Sequence, residues 1–597
     1  MKKKIIFFYL TLIIILIFNN YNSKLFASEI LNTEIIYQIM IDRFFDGNPE
    51  NNFNTDKSNP NAYHGGDLTG ISKKINYLKD LGITALLLSP LNDNRNNQFF
   101  GAYGFHGYWI SDFYKIDEHF GNENDLNFLV SELKKNKIKL IIDIVLNHIE
   151  WDGELKKTNP DWFNSNGDIK NWNDQEEIES GNMGGLPDFN QNNPEVYDYL
   201  LNMTKHWIKS TDCDGIRLDA VKHIPKSFWT KFISAITEYA YSIGKREFII
   251  IGEVLHGDPF YVRDYFKTGI PELFDFPLYY KIIETVAKSG NMSMIANLIN
   301  NDKIYPENFH SATFIDNHDV PRFFSSASEN IDKLKLALGL IFSIRGTPVL
   351  YYGTECPLSG TDENSGRSDM IFDINYKLYE FIKKLISIRK NNESLISKNF
   401  IELYKTDDVL VFAKISKNEE SIIVSTNSSY SKNIEFNLFE NSLLKPGEIL
   451  MDYLTGETVS IIGKKIYISD LKPYSIMIFN KKYNSPVFKD YIVSLNDNKG
   501  TSKVSFIINN DKTKYGQQIY ISGNTDEFGN WNPDKAAGPF SCPHWPEWNL
   551  DINLPLNKFL EYKFIIKDEK SVIWESGENR TLKIDKNEIE IKTKWRE

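Results

Sequence analysis

Cysteine is nearly absent: Cys213, Cys356 and Cys542 are scattered through 597 residues. An odd, dispersed set offers no readable disulfide framework, so the fold must stand on packing, with bound metal the other available staple. Excess positive charge is missing too. Lys and Arg number 68 against 80 Asp and Glu, a formal net charge of −12. Phosphate contacts need clustered cations, so this balance argues against a general binder of nucleic acid or anionic membranes and for an uncharged main partner. Long hydrophobic runs are lacking beyond the N-terminus, where MKKK precedes an apolar stretch from Ile5 to Phe18 and then the small-residue segment LFASE. That three-part layout reads as a secretory signal over residues 1–28, cleaved near Ala27 or Ser28, and sets the expectation of an extracellular protein. The run is shorter than the ~20 residues of a spanning helix, which leaves an uncleaved anchor as the lesser alternative. No repeat of solenoid period is evident.

Aromatic residues are plentiful, at 14%, and when exposed they suit the apolar faces of sugars or other flat ligands as well as they suit a core. From Glu34 to about Asn391, short apolar runs alternate with amphipathic stretches: IIYQIM, ITALLLS, KLIIDIV, DGIRLDA, FIIIGEV, LFDFPL, ATFID and TPVLYYG make eight strand candidates. Eight β-α units fit a closed (β/α)₈ barrel better than an open doubly wound sheet, which assigns residues 29–394 to one barrel domain. A polar stretch over 149–187, rich in Asn, Gly and Trp, is too long for an ordinary loop and reads as a subdomain inserted after the third strand. Alternating patterns then predict a β-sandwich over 395–482, a linker over 483–496, and a second all-β domain over 497–597 with many tryptophans.

Four strand candidates end in charge: DIVLNH (Asp143, Asn147, His148), GIRLDAVKH (Arg217, Asp219, Lys222, His223), GEV (Glu253) and FIDNHD (Asp316, His318, Asp319). Any one of these could be a salt bridge or a loop cap. Together they mark the carboxyl-terminal mouth of a barrel, where catalytic groups sit. Arg217 and Asp219, two apart on a strand, share a face. Carboxylates converging there repel one another. An acid beside the fixed Arg217 is expected to stay ionised as a nucleophile, and a second acid to be raised and to donate a proton, the division of labour of a retaining glycosidase.

These four stretches, with LPDF (Leu186–Phe189) and GTPVLYYGTE (Gly346–Glu355), resemble the motifs of the α-amylase family, glycoside hydrolase family 13, across about residues 34–480. The resemblance implies Asp219 as nucleophile, Glu253 as general acid/base and Asp319 as the third carboxylate, with Arg217 orienting Asp219. It implies that His148 and His318 bond the sugar in the cleavage subsite, that Tyr108 stacks beneath it, that Lys222 and His223 stand on the leaving-group side, and that Arg367 closes the far end of the pocket. The two attacks of a retaining enzyme predict a carboxyl separation of about 5–5.5 Å between Asp219 and Glu253.

Asp46, Asn48, Asn51, Asn52, the Gly65 carbonyl and Asp67 are hard oxygen donors of the sort Ca²⁺ takes, though a plain turn is the other reading. The stretch is similar to a calcium loop of cyclodextrin glucanotransferases and related amylases. A second site implied by the resemblance uses Asn147, Asp188 and the carbonyl of His223. The tail resembles a glucoamylase-type starch-binding domain, which implies Trp531 and Trp574 as exposed stacking rings, Lys563 and Asn579 beside them, and a second site at Tyr515 with Trp545 or Phe540; Trp548 is expected in the core. Cyclodextrin glucanotransferases carry an aromatic residue shortly before the LPDF equivalent. Here Gly184 stands at about that position, which favours hydrolysis over transfer.

The expectation is therefore a secreted, calcium-stabilised, monomeric α-amylase, endo-acting or maltogenic, on starch, α-1,4-glucans and maltooligosaccharides. A cyclodextrin glucanotransferase or other transglycosylase is the alternative. A catalytically silent glucan-binding protein would be expected to lack one of the three acids, and all three are present.

Overall fold

The computed structural model describes residues 33–482 and 501–596, except 374–375, 515, 556–558, 569–570, 585 and 587. The expected signal (1–28), the linker (483–496) and Tyr515 lie outside the described residues. These fall into two compact units, the first holding the barrel and the sandwich, the second the C-terminal module.

Eight parallel strands close the barrel: β1 (Ile36–Ile39), β2 (Ala85–Leu88), β3 (Lys139–Ile144), β4 (Gly215–Leu218), β5 (Ile249–Gly252), β6 (Glu272–Phe274), β7 (His310–Thr313) and β8 (Thr347–Tyr351). They are short and apolar because both faces are covered, the inner by the barrel core and the outer by helices. Those helices include α1 (Leu68–Lys73), α2 (Glu123–Lys135), α3 (Pro194–Thr211), α4 (Lys226–Ser242), α5 (Ile331–Ser343) and α6 (Lys377–Asn391). Their starts follow local chemistry. Asn122 and Asp125 form a capping box on α2, and Asn193 caps α3 with Pro194 in its first turn. The sixth strand differs from the sequence expectation, since LFDFPL is only half a strand. Asp275 accepts the Leu278 amide at 3.1 Å, and with Pro277 it starts a helix over Phe276–Ile282.

Register places the site. Ile141, Gly215 and Ile249 lie side by side across β3, β4 and β5, and the next layer up holds Asp143, Arg217 and Ile251. Ile141, Ile249 and Ile251 belong to the barrel's inner core with Ile36, Leu87 and Phe274. The same alternation, carried past the strand ends, points Asp219 and Glu253 inward. Gly215 lets the strands approach: a Cβ there would lie 2.5 Å from the Ile249 Cβ and 2.7 Å from its carbonyl oxygen.

The insertion after β3 is folded back on itself. Isolated bridges join His148 to Asp188 and Phe163 to Phe189. Beyond α6, two four-stranded sheets form the sandwich: β9 (Phe400–Lys405), β10 (Val409–Ile415), β11 (Glu419–Thr426) and β16 (Ile476–Lys482) in one, and β12 (Lys432–Asn437), β15 (Lys465–Leu471), β14 (Thr458–Ile462) and β13 (Ile449–Met451) in the other. Val411, Val424, Phe436, Ile466 and Phe479 fill the space between the sheets. The sandwich is sewn to the barrel. Buried Lys414 donates to the Ile344 carbonyl, and Gly339 on α5 leaves room for Ile476, whose Cγ2 would lie 2.6 Å from a Cβ.

The C-terminal module also has two sheets. One runs β19 (Ser541–His544), β20 (Glu547–Pro555), β17 (Thr501–Asn509) and β24 (Glu588–Lys594); the other is β18 (Gln518–Gly523), β21 (Phe559–Lys567) and β22 (Val572–Trp574), with β23 (Arg580–Lys583) paired to β21. Phe506, Phe528, Phe564 and Trp548 form its core. All three cysteines are free.

Gly215→Ala is expected to cost about 1–3 kcal/mol of stability through overpacking against Ile249 and to lower activity by displacing Arg217. Urea unfolding monitored alongside kcat would show it, and an unchanged transition midpoint would contradict the close approach.

Candidate active site

Arg217 organises the barrel mouth. Its guanidinium is 1% exposed as a residue, and its Nη1 donates to Asp143 at 2.6 and 2.8 Å and to Asp219 at 2.8 Å. Nη2 donates to Glu253 at 2.6 Å. Glu253 also accepts the Ala220 amide at 3.3 Å, and the Tyr108 hydroxyl donates to Asp143 at 2.8 Å. Three carboxylates from three successive strands thus share one cation. Asp319 approaches from the loop after β7, where His318 Nε2 lies 3.1 Å from it and Arg367 Nη2 3.4 Å.

The charge balance differs from the sequence expectation in one respect. Arg217 was expected to hold Asp219 ionised, yet it spends its donors on Asp143 and Glu253 as well. Burial therefore pushes Asp219 well above the ordinary carboxylate range against the pull of Arg217, and repulsion from Glu253, Asp143 and Asp319 adds to the rise. Burial likewise raises Asp143 to about 6, opposed by Arg217 and Tyr108, and raises Asp319 against Arg367 and Arg217. A cluster of this kind retains a proton in the range where isolated carboxylates have lost theirs. Burial also keeps the imidazoles neutral: His148 is lowered to about 4, and His318 and His106 fall well below the usual histidine value.

The remaining predicted residues are placed as follows. The Tyr108 ring stacks on His318 at 5.0 Å and 5°, and the His148 imidazole meets the Tyr108 carbonyl at 3.1 Å. Gln38 fixes the other His318 nitrogen at 3.0 Å. Lys222 donates to the Leu255 carbonyl at 3.1 Å, just beyond Glu253, and His223 is buried in the same turn. Arg367 does more than close a distant end: its Nε holds the His318 carbonyl at 3.0 Å, so it grips the loop that carries Asp319. Asp316 follows the bland reading, since its carboxylate accepts the Phe323 amide at 2.9 Å and the Thr354 hydroxyl at 3.2 Å. Sequence reasoning gave Asp143 no role, although both of its oxygens accept from Arg217. Its signal was there, as the last inward position of β3 beside the strand of Arg217.

In the C-terminal module, Trp531 and Trp574 lie with ring centroids 6.3 Å apart and planes at 35°. Trp574 is 38% exposed, and Trp531 sits in a turn at φ 63°. Lys563 donates to the Gly577 carbonyl at 2.6 Å and Asn579 to Glu561 at 3.0 Å, so both brace the loops around the rings. Trp548 is in the core as expected. Phe540 is too, at 3% exposure, and cannot supply a ring to a second site; Trp545 is 58% exposed. Glu575, to which the sequence assigns no role, is buried directly after Trp574. It pairs with Arg580 at 2.8 Å and Arg596 at 3.2 Å, and accepts the Phe564 amide at 3.1 Å.

A profile of the alpha amylase catalytic domain matches residues 38–371. The chain belongs to the α-amylase family. A starch binding domain profile matches residues 501–593 of this amylase-family enzyme. It is 31% identical to a cyclomaltodextrin glucanotransferase of Klebsiella oxytoca over 92% of this chain and 91% of that protein. The solved α-amylase of Anoxybacillus is 37% identical and covers 76% of this chain and 99% of its own, with a TM-score of 0.70. A solved cyclomaltodextrin glucanotransferase with a three-domain ABC distribution is 31% identical over 76% of this chain and 99% of its own, with a TM-score of 0.68. The amylase-family fold, retaining glycosidase chemistry and glucan substrates follow from this membership and from the starch-binding domain.

The two proposed calcium positions of this amylase-family enzyme are built mainly from amides and carbonyls. Among the described residues, no group of three or more His, Cys, Asp or Glu is arranged to hold a metal. In the first loop, the Oδ1 atoms of Asn51 and Asn52 are buried without a hydrogen-bond partner. Asp46 anchors the Asn52 amide at 2.9 Å, and a Cβ on Gly65 would strike Asn52 Oδ1 at 2.4 Å. Asn48 and Asp67 are engaged otherwise. Asn48 caps the turn at Glu50, and Asp67 caps α1 while accepting the Gly47 and Asn48 amides at 3.1 and 2.7 Å. At the second position, Asn147 and Asp188 are fully buried and each leaves its Oδ1 unbonded. Asn164 bonds the other Asp188 oxygen at 2.7 Å, and burial raises Asp188 far above the carboxylate range. Unbonded hard oxygens in both places fit a divalent cation.

Two outcomes follow. If calcium fills these positions, EDTA lowers Tm of the full-length enzyme by roughly 5–10 °C and added Ca²⁺ restores it, while Asp188→Asn removes part of the response; a Tm indifferent to EDTA would exclude a stabilising ion. Trp574→Ala is expected to weaken adsorption to granular starch by about tenfold or more, with turnover of soluble maltooligosaccharide as the control for folding; undiminished adsorption would dismiss the ring pair.

Proposed function

We propose that this family member is an exported α-amylase that hydrolyses internal α-1,4-glucosidic bonds of starch, with calcium as a structural ion. The observation that carries hydrolysis over transfer is Gly184. It stands where glucanotransferases carry an aromatic residue, and as a glycine at φ +61° it supplies no ring of its own to exclude water or hold an acceptor sugar.

The geometry supports a two-step displacement. Glu253 gives a proton to the glycosidic oxygen as that bond breaks. An oxygen of Asp219 attacks the anomeric carbon and forms a glycosyl ester. Glu253, now a carboxylate, takes a proton from water, whose oxygen attacks the same carbon and releases Asp219. Arg217 serves both acids, and Asp319 with His318 would bind sugar hydroxyls next to the reacting ring. Asn147, Asp188 and the His223 carbonyl would hold a calcium ion that ties the insertion to the barrel mouth and supplies only structural charge.

Transfer to cyclic products is the second reading. It is favoured by the Klebsiella relative, which aligns over 92% of the chain. The solved glucanotransferase with a three-domain ABC distribution favours it too, since it aligns over 99% of its own length.

Chromatography of products from soluble starch separates the two. Linear maltose-series sugars are expected, and mainly cyclic oligosaccharides would reverse the assignment. Asp219→Asn is expected to lower kcat by about 10⁴-fold with an unchanged circular dichroism spectrum, and a variant keeping near-full activity would remove Asp219 from its role.

A further inference from the structure

Phe100 is costly where it stands. Its side chain is 95% exposed and its backbone φ is 49°, in the left-handed region that bulky residues avoid. It is the first central residue of a two-residue turn. Phe99 and Ala102 exchange both backbone hydrogen bonds, at 2.8 and 3.0 Å, and Gly101 follows at φ 83°. Turns with two positive φ values favour Asn-Gly or Gly-Gly. Neither the strain nor the exposed ring helps the fold, which makes a role outside stability the natural reading.

The ring is the outer end of an aromatic series that begins among the acids. Tyr108, stacked on His318, meets the His106 imidazole at 5.8 Å, His106 meets the Trp109 ring at 4.7 Å, and Trp109 meets Trp151 edge-on at 4.6 Å. Trp151 stacks on Phe99 at 4.0 Å and 22°, and Phe99 meets Phe100 at 4.5 Å. The series is held in place from both sides. Arg95 lies 5.3 Å from the Phe99 ring and pairs with Glu150 at 3.1 Å. Trp151 Nε1 donates to the Gly184 carbonyl at 3.1 Å, and a Cβ on Gly185 would come within 2.7 Å of that nitrogen.

We propose that Phe100, backed by Phe99 and Trp151, is a remote subsite that stacks on a glucose unit of the same glucan chain whose bond is cut between Asp219 and Glu253. The glucan is the occupant because the ring series runs from Phe100 back to the ring beside the acids, and sugar rings present apolar faces to aromatic side chains. This assignment rests on the amylase reading above. It adds a preference for long chains that is independent of the starch-binding module.

The test is Phe100→Gly in the full-length enzyme. Glycine suits φ 49°, so the variant keeps the turn and is expected to hold or raise Tm. The ratio of kcat/KM for maltoheptaose to that for maltotriose should fall by about fivefold, chiefly through KM, and Phe100→Tyr should preserve it. An unchanged ratio, or an equal loss on both substrates, would overturn the subsite. So would sedimentation showing a wild-type dimer that Phe100→Gly dissolves, since the ring would then serve a second copy of the chain. A wild type that turns over neither sugar would instead defeat the amylase reading itself.

Discussion

One buried guanidinium shared among three carboxylates sets the terms for the rest of the barrel. Arg217 is far from water, so its charge must be met by Asp143, Asp219 and Glu253, and each of those acids tolerates burial only because Arg217 is there. The arrangement cannot be built from one strand. It needs β3, β4 and β5 in a fixed parallel register, and that register depends on the small volume of Gly215 below it. Packing at the barrel floor and acid chemistry at its mouth are therefore one constraint seen at two heights.

With three negative groups around one positive group, the mouth prefers to keep a proton. Tyr108 and the neutral imidazoles surround it with hydrogen-bonding groups that add no charge of their own. Arg367 then compensates Asp319 separately from the loop beyond β8. Two cations thus divide four acids, and the more exposed of the acids, Asp319, is the one paired least tightly.

Much of this was legible in the residue order. Period-two alternation in GIRLDA fixes that Arg217 and Asp219 share a face, and apolar runs ending in acids mark the mouth of a barrel. The sandwich and the all-β tail announced themselves by alternation alone. What was not legible depends on contacts between segments far apart in sequence. Asp316 and Asp319 sit in one hexapeptide, and only the packed fold shows that the first caps a turn while the second faces the mouth. LFDFPL reads as a strand by composition, until Asp275 is seen capping the helix that follows. Asn48 and Asp67, read as cation ligands, also cap a turn and a helix, which only the fold displays. Phe540 and Trp545 are five residues apart, and nothing local separates the buried ring from the exposed one.

Glu575 deserves its place beneath the tryptophan pair. Two arginines and a backbone amide fasten it, so the strand bearing Trp574 is rigid before any polysaccharide arrives. Little entropy is then spent at contact, and little is recovered on release. A ready-made surface of this type spends less of its contact energy on ordering itself, so two rings can hold what a pliant loop would need more side chains to grip.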